Sequence, residues 1–132
     1  DIDSMKSILI GGEGFEFWSK IFRSLECVES DPEALIMTKY AKNNFLALKV
    51  SFFNQLYDLC YKMNIDYEEV RKHTTADNRI GESHSFITDR RGFGGHCFPK
   101  DTSALVKTSE KYDSFLSIID CARSYNNEIR EN

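Results

Sequence analysis

The run Gly92-Phe93-Gly94-Gly95-His96-Cys97-Phe98-Pro99-Lys100-Asp101 gathers a thiol, an imidazole, an ammonium and a carboxylate into one short stretch. Glycines at 92, 94 and 95 let the backbone turn sharply and let a ligand come close. Pro99 stiffens the exit, and Asp101-Thr102 reads as the start of a helix with Asp101 as N-cap. Thiolates, the nucleophilic form of cysteine, are favoured near helix N-termini and beside cations. The pattern therefore predicts a nucleophile at Cys97. Cys27, Cys60 and Cys121 sit in apolar or amphipathic stretches and read as buried, inert thiols. Arg90 and Arg91 lie beside the loop, where their charge favours a diphosphate.

The elements that must position this loop are mostly helical. Ser7-Ile8-Leu9-Ile10 reads as a short strand ending in the turn Gly11-Gly12-Glu13-Gly14. Phe17 to Leu25 has helical spacing, and Asp31-Pro32 opens a further helix with Pro32 at its first position. From Glu33 to Met63 two apolar stripes run side by side: Phe45, Leu48, Phe52, Leu56, Leu59 and Met63 on one, Leu46, Val50, Phe53 and Tyr57 on the other. A helix apolar over so wide an arc is buried on more than one side. Its length, on the order of 45 Å, exceeds what so small a domain covers, so a dimer built around it is expected. Lys39 and Asn43, four residues apart, share a face of this helix, and spacing alone reads them as a solvated pair. Asp66-Tyr67-Glu68-Glu69 resembles a capping box opening a helix to about His73. An irregular segment from Thr74 to Pro99 carries the loop, and helices follow over Thr102 to Lys111 and Ser114 to Arg130. The fold class is mainly α.

A chain of 132 residues is one domain, or one domain with a remnant of another. The net charge of −4 argues against a non-specific nucleic-acid binder. There is no apolar run of membrane-spanning length and no opening signal segment, so the default location is the reducing cytoplasm. The four cysteines form no Cys-x-x-Cys pair, and neither the adjacent His96-Cys97 nor the isolated His73 and His84 has metal-ligand spacing. No metal is expected. The Gly11–Gly14 turn fails the dinucleotide fingerprint, because Phe17 stands where its third glycine belongs. The opening Asp1 points to a fragment of a longer chain.

Three motifs carry a family resemblance. The loop Gly-Phe-Gly-Gly-x-Cys-Phe-Pro-Lys-Asp resembles the catalytic loop of the nucleotide-sugar dehydrogenases, the UDP-glucose 6-dehydrogenase and GDP-mannose dehydrogenase family. Lys39 through Asn54 is similar to that family's central helix, and Asp77-Asn78-Arg79-Ile80-Gly81 to its Asp-x-Arg-Ile-Gly turn. The resemblance implies a helical central dimerisation domain over 30–132, with its catalytic loop at 86–101, preceded by a short β-α remnant of an NAD-binding Rossmann domain over 1–29. It implies Cys97 as nucleophile, Lys39 as oxyanion stabiliser, and Asn43 and Asp101 as positioners of alcohol and water. Phe86, Gly94 and Arg79 fall on substrate-contacting positions, Arg79 across the dimer interface in some members, and Lys100 lies near the cofactor. A core aromatic at Phe86, an Arg79–Asp77 pair and an exposed Lys100 are the plainer alternatives. The implied reaction is NAD-dependent oxidation of a sugar C6 alcohol to a carboxylate through a cysteine thiohemiacetal and thioester, with UDP-glucose the favoured substrate. With most of the Rossmann domain missing, this chain alone is not expected to turn over. The competing class is a non-enzymatic helical dimerisation module.

Overall fold

The computed structural model describes residues 5–131. The elements run β1 (Ser7–Gly11), α1 (Phe15–Ile21), β2 (Glu26–Ser30), α2 (Pro32–Met63), α3 (Tyr67–Thr75), α4 (Cys97–Lys111) and α5 (Ser117–Glu131). The fold is mainly helical, as expected. They group into two compact units, one ending at Ala41 and the other beginning at Lys42, with the unbroken helix α2 running from the first into the second.

In the first unit β1 and β2 form a two-stranded parallel ladder, from Ser7 opposite Glu26 to Gly11 opposite Ser30. The second strand was not expected from the sequence. Glu26-Cys27-Val28-Glu29-Ser30 offers only two apolar residues between acids, and what makes it a strand is pairing with β1. Helix α1 begins at Phe15 and stops at Ile21, earlier at both ends than its apolar spacing suggests. Left-handed Gly14 (φ 91°) opens it, and Phe22 closes it by donating its N–H to Trp18 O. At the start of α2 the Asp31 carboxylate accepts from Ala34 N–H at 3.1 Å, with Pro32 in the first turn.

In the second unit the core forms around Phe53, Cys60 and Tyr67, with Leu56, Tyr57, Val70 and Ile87 packed against them. Complete burial of one such side chain is worth about 1.5–3 kcal/mol. The two stripes of α2 have different fates. Phe53 of one is buried, whereas Phe45 and Phe52 of the other stand 66% and 57% exposed, and Leu59 and Met63 are exposed with them. Asp66 caps α3 by accepting from Glu68 N–H at 2.9 Å, and the helix continues two residues beyond His73 to Thr75.

Two helix starts differ from expectation. Helix α4 begins at Cys97, not Thr102, so Asp101 lies a full turn inside it and is not its N-cap. Pro99 is accommodated because first-turn amides have no intrahelical acceptor to lose. Helix α5 begins at Ser117 rather than Ser114, leaving Phe115 exposed ahead of it. Helix α4 packs against α5.

Candidate active site

The glycine loop is fastened from behind by two asparagines. Asn54 of α2, 1% exposed, accepts at Oδ1 from Gly92 N–H (3.1 Å) and from Arg91 Nε (2.8 Å). Asn126 of α5, 3% exposed, accepts from Phe93 N–H at 2.6 Å. A side chain on Gly92 would run into Asn126 Oδ1, and φ of 55° there already favours glycine. Arg91 adopts a left-handed φ of 53°, and its guanidinium pairs with Asp58 at 2.7 Å and lies over the Tyr57 ring. Tyr125 donates its hydroxyl to the other Asp58 oxygen at 2.9 Å. Burial pushes the Tyr125 hydroxyl up to about 12, with the Asp58 hydrogen bond adding to it. Arg91 therefore serves the scaffold, which corrects the expectation that it pairs with Arg90 on a diphosphate.

Beyond Gly95 (φ 75°) the chain enters α4 with Cys97 as its first residue, and that cysteine is exposed. Phe98 lies against Phe93 and His84, with ring centroids 6.3 and 5.7 Å apart. One turn after Cys97, the wholly buried Asp101 receives Asn43 Nδ2–H on Oδ2 at 2.6 Å and pairs through Oδ1 with Lys100 Nζ at 3.0 Å. Asn44 Nδ2 donates to the Asp101 carbonyl at 3.3 Å. Positions four apart on a helix share a face, so the Cys97 sulfur and an oriented carboxylate stand on the same side of α4. A thiolate so placed can add to a carbonyl carbon.

The remaining site candidates of the second unit are dispersed. Lys39 belongs to the first unit, its ammonium 5.5 Å from the Tyr40 ring centroid. Phe86 is half exposed, which removes the core reading; its ring stacks on the Arg71 guanidinium at 4.0 Å. Arg71 is itself buried and held by Glu68 and Glu82. Arg79 pairs with Asp77 at 2.5 Å and otherwise projects into the open, so the plainer pairing is present. That pairing holds the Asp77 carboxyl below the usual carboxylate range. Lys49 fixes the same turn by donating to the Ile80 and Gly81 carbonyls, both at 2.7 Å, and burial draws its ammonium below the ordinary lysine range. Gly94 stays in the glycine loop, whereas Arg79 lines a different cleft with Phe45 and Phe52.

Sequence reasoning missed Asn54, Asn126, Lys49 and His84. The signal was available for Asn54, a polar amide next to Phe53 on an apolar helix. Cys121, expected to be buried, is exposed, while Cys60 is buried and Cys27 half-buried. Among the described residues no group of three or more His, Cys, Asp and Glu is placed to hold a metal, and no helix is long and apolar enough to cross a membrane.

An exposed cysteine thus opens α4 one turn from a buried carboxylate held by an asparagine, on a helical core. The sequence from 33 to 128 matches the UDP-glucose/GDP-mannose dehydrogenase family, central domain, and the chain belongs to that family. UDP-glucose 6-dehydrogenase of Rhizobium meliloti is 40% identical over 90 residues, which is 68% of this chain and 20% of that protein. The enzyme of the same name from Pseudomonas aeruginosa is 48% identical over 79 residues, 58% of this chain and 17% of that one. A solved UDP-glucose dehydrogenase from Pyrobaculum islandicum superposes with a TM-score of 0.84 at 30% identity, covering 93% of this chain and 29% of that chain. An NDP-N-acetyl-D-galactosaminuronic acid dehydrogenase from Methanosarcina mazei shares the fold, with a TM-score of 0.73 at 23% identity. The chain thus spans about a fifth of the length of the curated relatives it matches.

The family resemblance implies NAD, and the first unit is where a dinucleotide would be sought. Its glycine turn lacks the third glycine of the dinucleotide fingerprint, with Phe17 standing in that place. A Cβ on Gly11 would sit 2.7 Å from Leu35 Cδ1, and one on Gly14 would sit 3.7 Å from Trp18 Cδ1. Leu35 therefore closes off the space at Gly11, while Gly12 and Gly14 meet only ordinary contacts, the first with Pro32 Cγ at 3.9 Å.

Proposed function

We propose that this chain is the cysteine-bearing core of an NAD-dependent nucleotide-sugar 6-dehydrogenase, with UDP-glucose oxidised to UDP-glucuronate as the favoured reaction. The observation that carries the reading is Cys97 at the start of α4, one turn from an Asp101 carboxylate held by Asn43. On this reading the Cys97 thiolate attacks the C6 aldehyde. A sulfur–carbon bond forms, and the carbonyl electron pair moves to oxygen; the family resemblance assigns the stabilisation of that oxyanion to Lys39. At the thioester stage water held by Asp101 and Asn43 attacks the carbonyl carbon, the carbon–sulfur bond breaks, and sulfur leaves as thiolate. NAD, when bound, would accept the hydrides lost from C6 at the alcohol stage and at the thiohemiacetal stage, the second loss giving the thioester; these residues do not themselves cradle it.

Phe86, Gly94 and Arg79 are the substrate-contacting positions in this proposal, and Lys100 the one beside the cofactor. Residues 1–29 are the end of a Rossmann domain, 30–132 the helical central domain, and the location is cytoplasmic. Two strands and one helix are far short of a doubly wound dinucleotide fold, so the 132 residues alone would not form NADH. Homodimerisation through α2 is part of the proposal, supported by the exposed Phe45, Phe52, Leu59 and Met63.

That same exposed stripe favours a second reading, a helical dimerisation module without catalysis. Alkylation of Cys97 by iodoacetamide, followed by mass spectrometry with and without UDP-glucose, separates the two. Protection by UDP-glucose supports the dehydrogenase core. An unprotected Cys97 in a stable dimer supports the module and overturns the catalytic reading. NADH formation by the purified chain, lost in Cys97→Ala, would overturn the claim that it is incompetent alone.

A further inference from the structure

We infer that Arg130 and Arg90 form an anion clamp over the glycine run, suited to the diphosphate of a nucleotide sugar. The inference rests on the reading above for the nucleotide sugar, and on geometry alone for the anion. A cleft of about 520 Å³ lies over the loop, lined among others by Arg90, Gly94, Gly95, Phe98, Arg130 and Asp89. Clefts of this size hold small-molecule ligands. Asp89 is its one carboxylate, set against two guanidiniums.

Arg130 is placed there by the fold. Its Nη1 donates to the Arg91 carbonyl at 3.0 Å, which lays the guanidinium across the loop backbone. A Cβ on Gly94 would sit 2.8 Å from Nη1 and 2.9 Å from Cζ and Nη2. Glycine at 94 is thus what lets a planar cation lie against the main chain. One N–H is spent on the carbonyl; among the described residues its other donors meet no protein acceptor. The amides of Gly94 and Gly95 likewise donate to no protein acceptor among the described residues. Arg90 is exposed and makes no ion pair there. Guanidinium forks and glycine amides together recognise phosphate oxygens.

The adjacent arginines differ sharply in this respect. Arg91, next in sequence to Arg90, has its charge committed to Asp58 and its Nε to Asn54. The second arginine of the clamp therefore comes from the end of α5, thirty-nine positions further on, as the Arg130–Arg91 bond requires.

The test is an NMR titration of the isotope-labelled 132-residue chain at low salt, first with sodium pyrophosphate and then with UDP-glucose. Both should shift the Gly92, Gly94 and Gly95 amides. Arg130→Gln should weaken both about tenfold, the loss of a charge-assisted bond, with Arg130→Lys recovering part. Arg90→Gln, which removes no protein ion pair, should weaken both while leaving the ligand-free amides of α2 and α5 in place, which shows that the fold is kept. Amides unmoved by pyrophosphate, or unaltered affinity in both glutamine variants, overturn the clamp. Pyrophosphate binding that depends on the arginines without UDP-glucose binding keeps the clamp and overturns the nucleotide-sugar reading. UDP-glucose binding indifferent to both arginines does the reverse.

Discussion

Asn43 donates its side-chain N–H to Oδ2 of Asp101 across 2.6 Å, tying α2 to α4 between residues 58 positions apart. Asp101 has no exposure to solvent, so this bond and the Lys100 ammonium at 3.0 Å bear on whether its charge is tolerated. Asn43→Asp sets a second carboxylate against the first. At pH 7 the variant should lose on the order of 2–3 kcal/mol of unfolding free energy, because like charges at hydrogen-bond distance do not both ionise cheaply. Lowering the pH into the carboxylate range should restore much of it, as one acid protonates and donates to the other. Urea unfolding at pH 7 and pH 4.5 checks this; equal stability of variant and wild type at pH 7 refutes it.

The loop glycines should differ in how badly they take a methyl group. Gly81 and Gly92 both have positive φ, 65° and 55°, but a Cβ on Gly81 meets nothing within 4 Å while one on Gly92 strikes Asn126 Oδ1. Gly81→Ala should cost about 1 kcal/mol, the left-handed penalty alone. Gly92→Ala should cost at least about 2 kcal/mol more, since the Asn126 amide that accepts from Phe93 must move and leave a buried N–H unpaired. Thermal unfolding of the two variants side by side decides it.

How far the sequence could be read depended on whether the information was local. Helix α2 was legible from Pro32 to Met63 because its apolar pattern repeats over many turns. The start of α4 was not, since a glycine run and Pro99 look like loop, and only the structure reveals that the first turn begins at Cys97. Strand β2 was hidden because its pairing partner, not its composition, makes it a strand. Asn43 and Asp101 were each identifiable through the family motif, but no spacing rule joins positions on separate helices. Arg90 and Arg91 looked equivalent as neighbours, and the left-handed backbone at Arg91, which no residue type announces, accompanies its commitment to Asp58. Why Phe86 stacks on a buried Arg71 and not in the core was beyond any local rule.

Thiol labelling should sort the four cysteines by burial. Cys97 and Cys121 are exposed, Cys27 is half-buried and Cys60 is buried in the Phe53–Tyr67 core. Brief iodoacetamide treatment of native protein should modify Cys97 and Cys121 first, and Cys97 ahead of Cys121 because it opens a helix. Cys27 should follow slowly and Cys60 only on unfolding. Peptide mass spectrometry over time reads the order, and early modification of Cys60 would contradict the core.

Alkaline pH should unfold the protein through two tyrosines. Tyr67 is buried and donates to the Ser85 carbonyl at 2.6 Å; burial, then the nearby Glu68, pushes its hydroxyl up to about 12. Tyr125, bonded to Asp58, is likewise pushed to about 12. In the unfolded chain both ionise near pH 10. Between those values the folded state keeps protons that the unfolded state has lost, so unfolding free energy falls as pH rises. The stability is fully present below about pH 10 and is lost by about pH 12. Tyr125→Phe removes one of the two contributions and should flatten the decline, at the expense of the Asp58 hydrogen bond at neutral pH. Urea midpoints from pH 8 to 11.5 for wild type, Tyr67→Phe and Tyr125→Phe measure the slope. Identical slopes in all three would show that neither hydroxyl is held protonated by the fold.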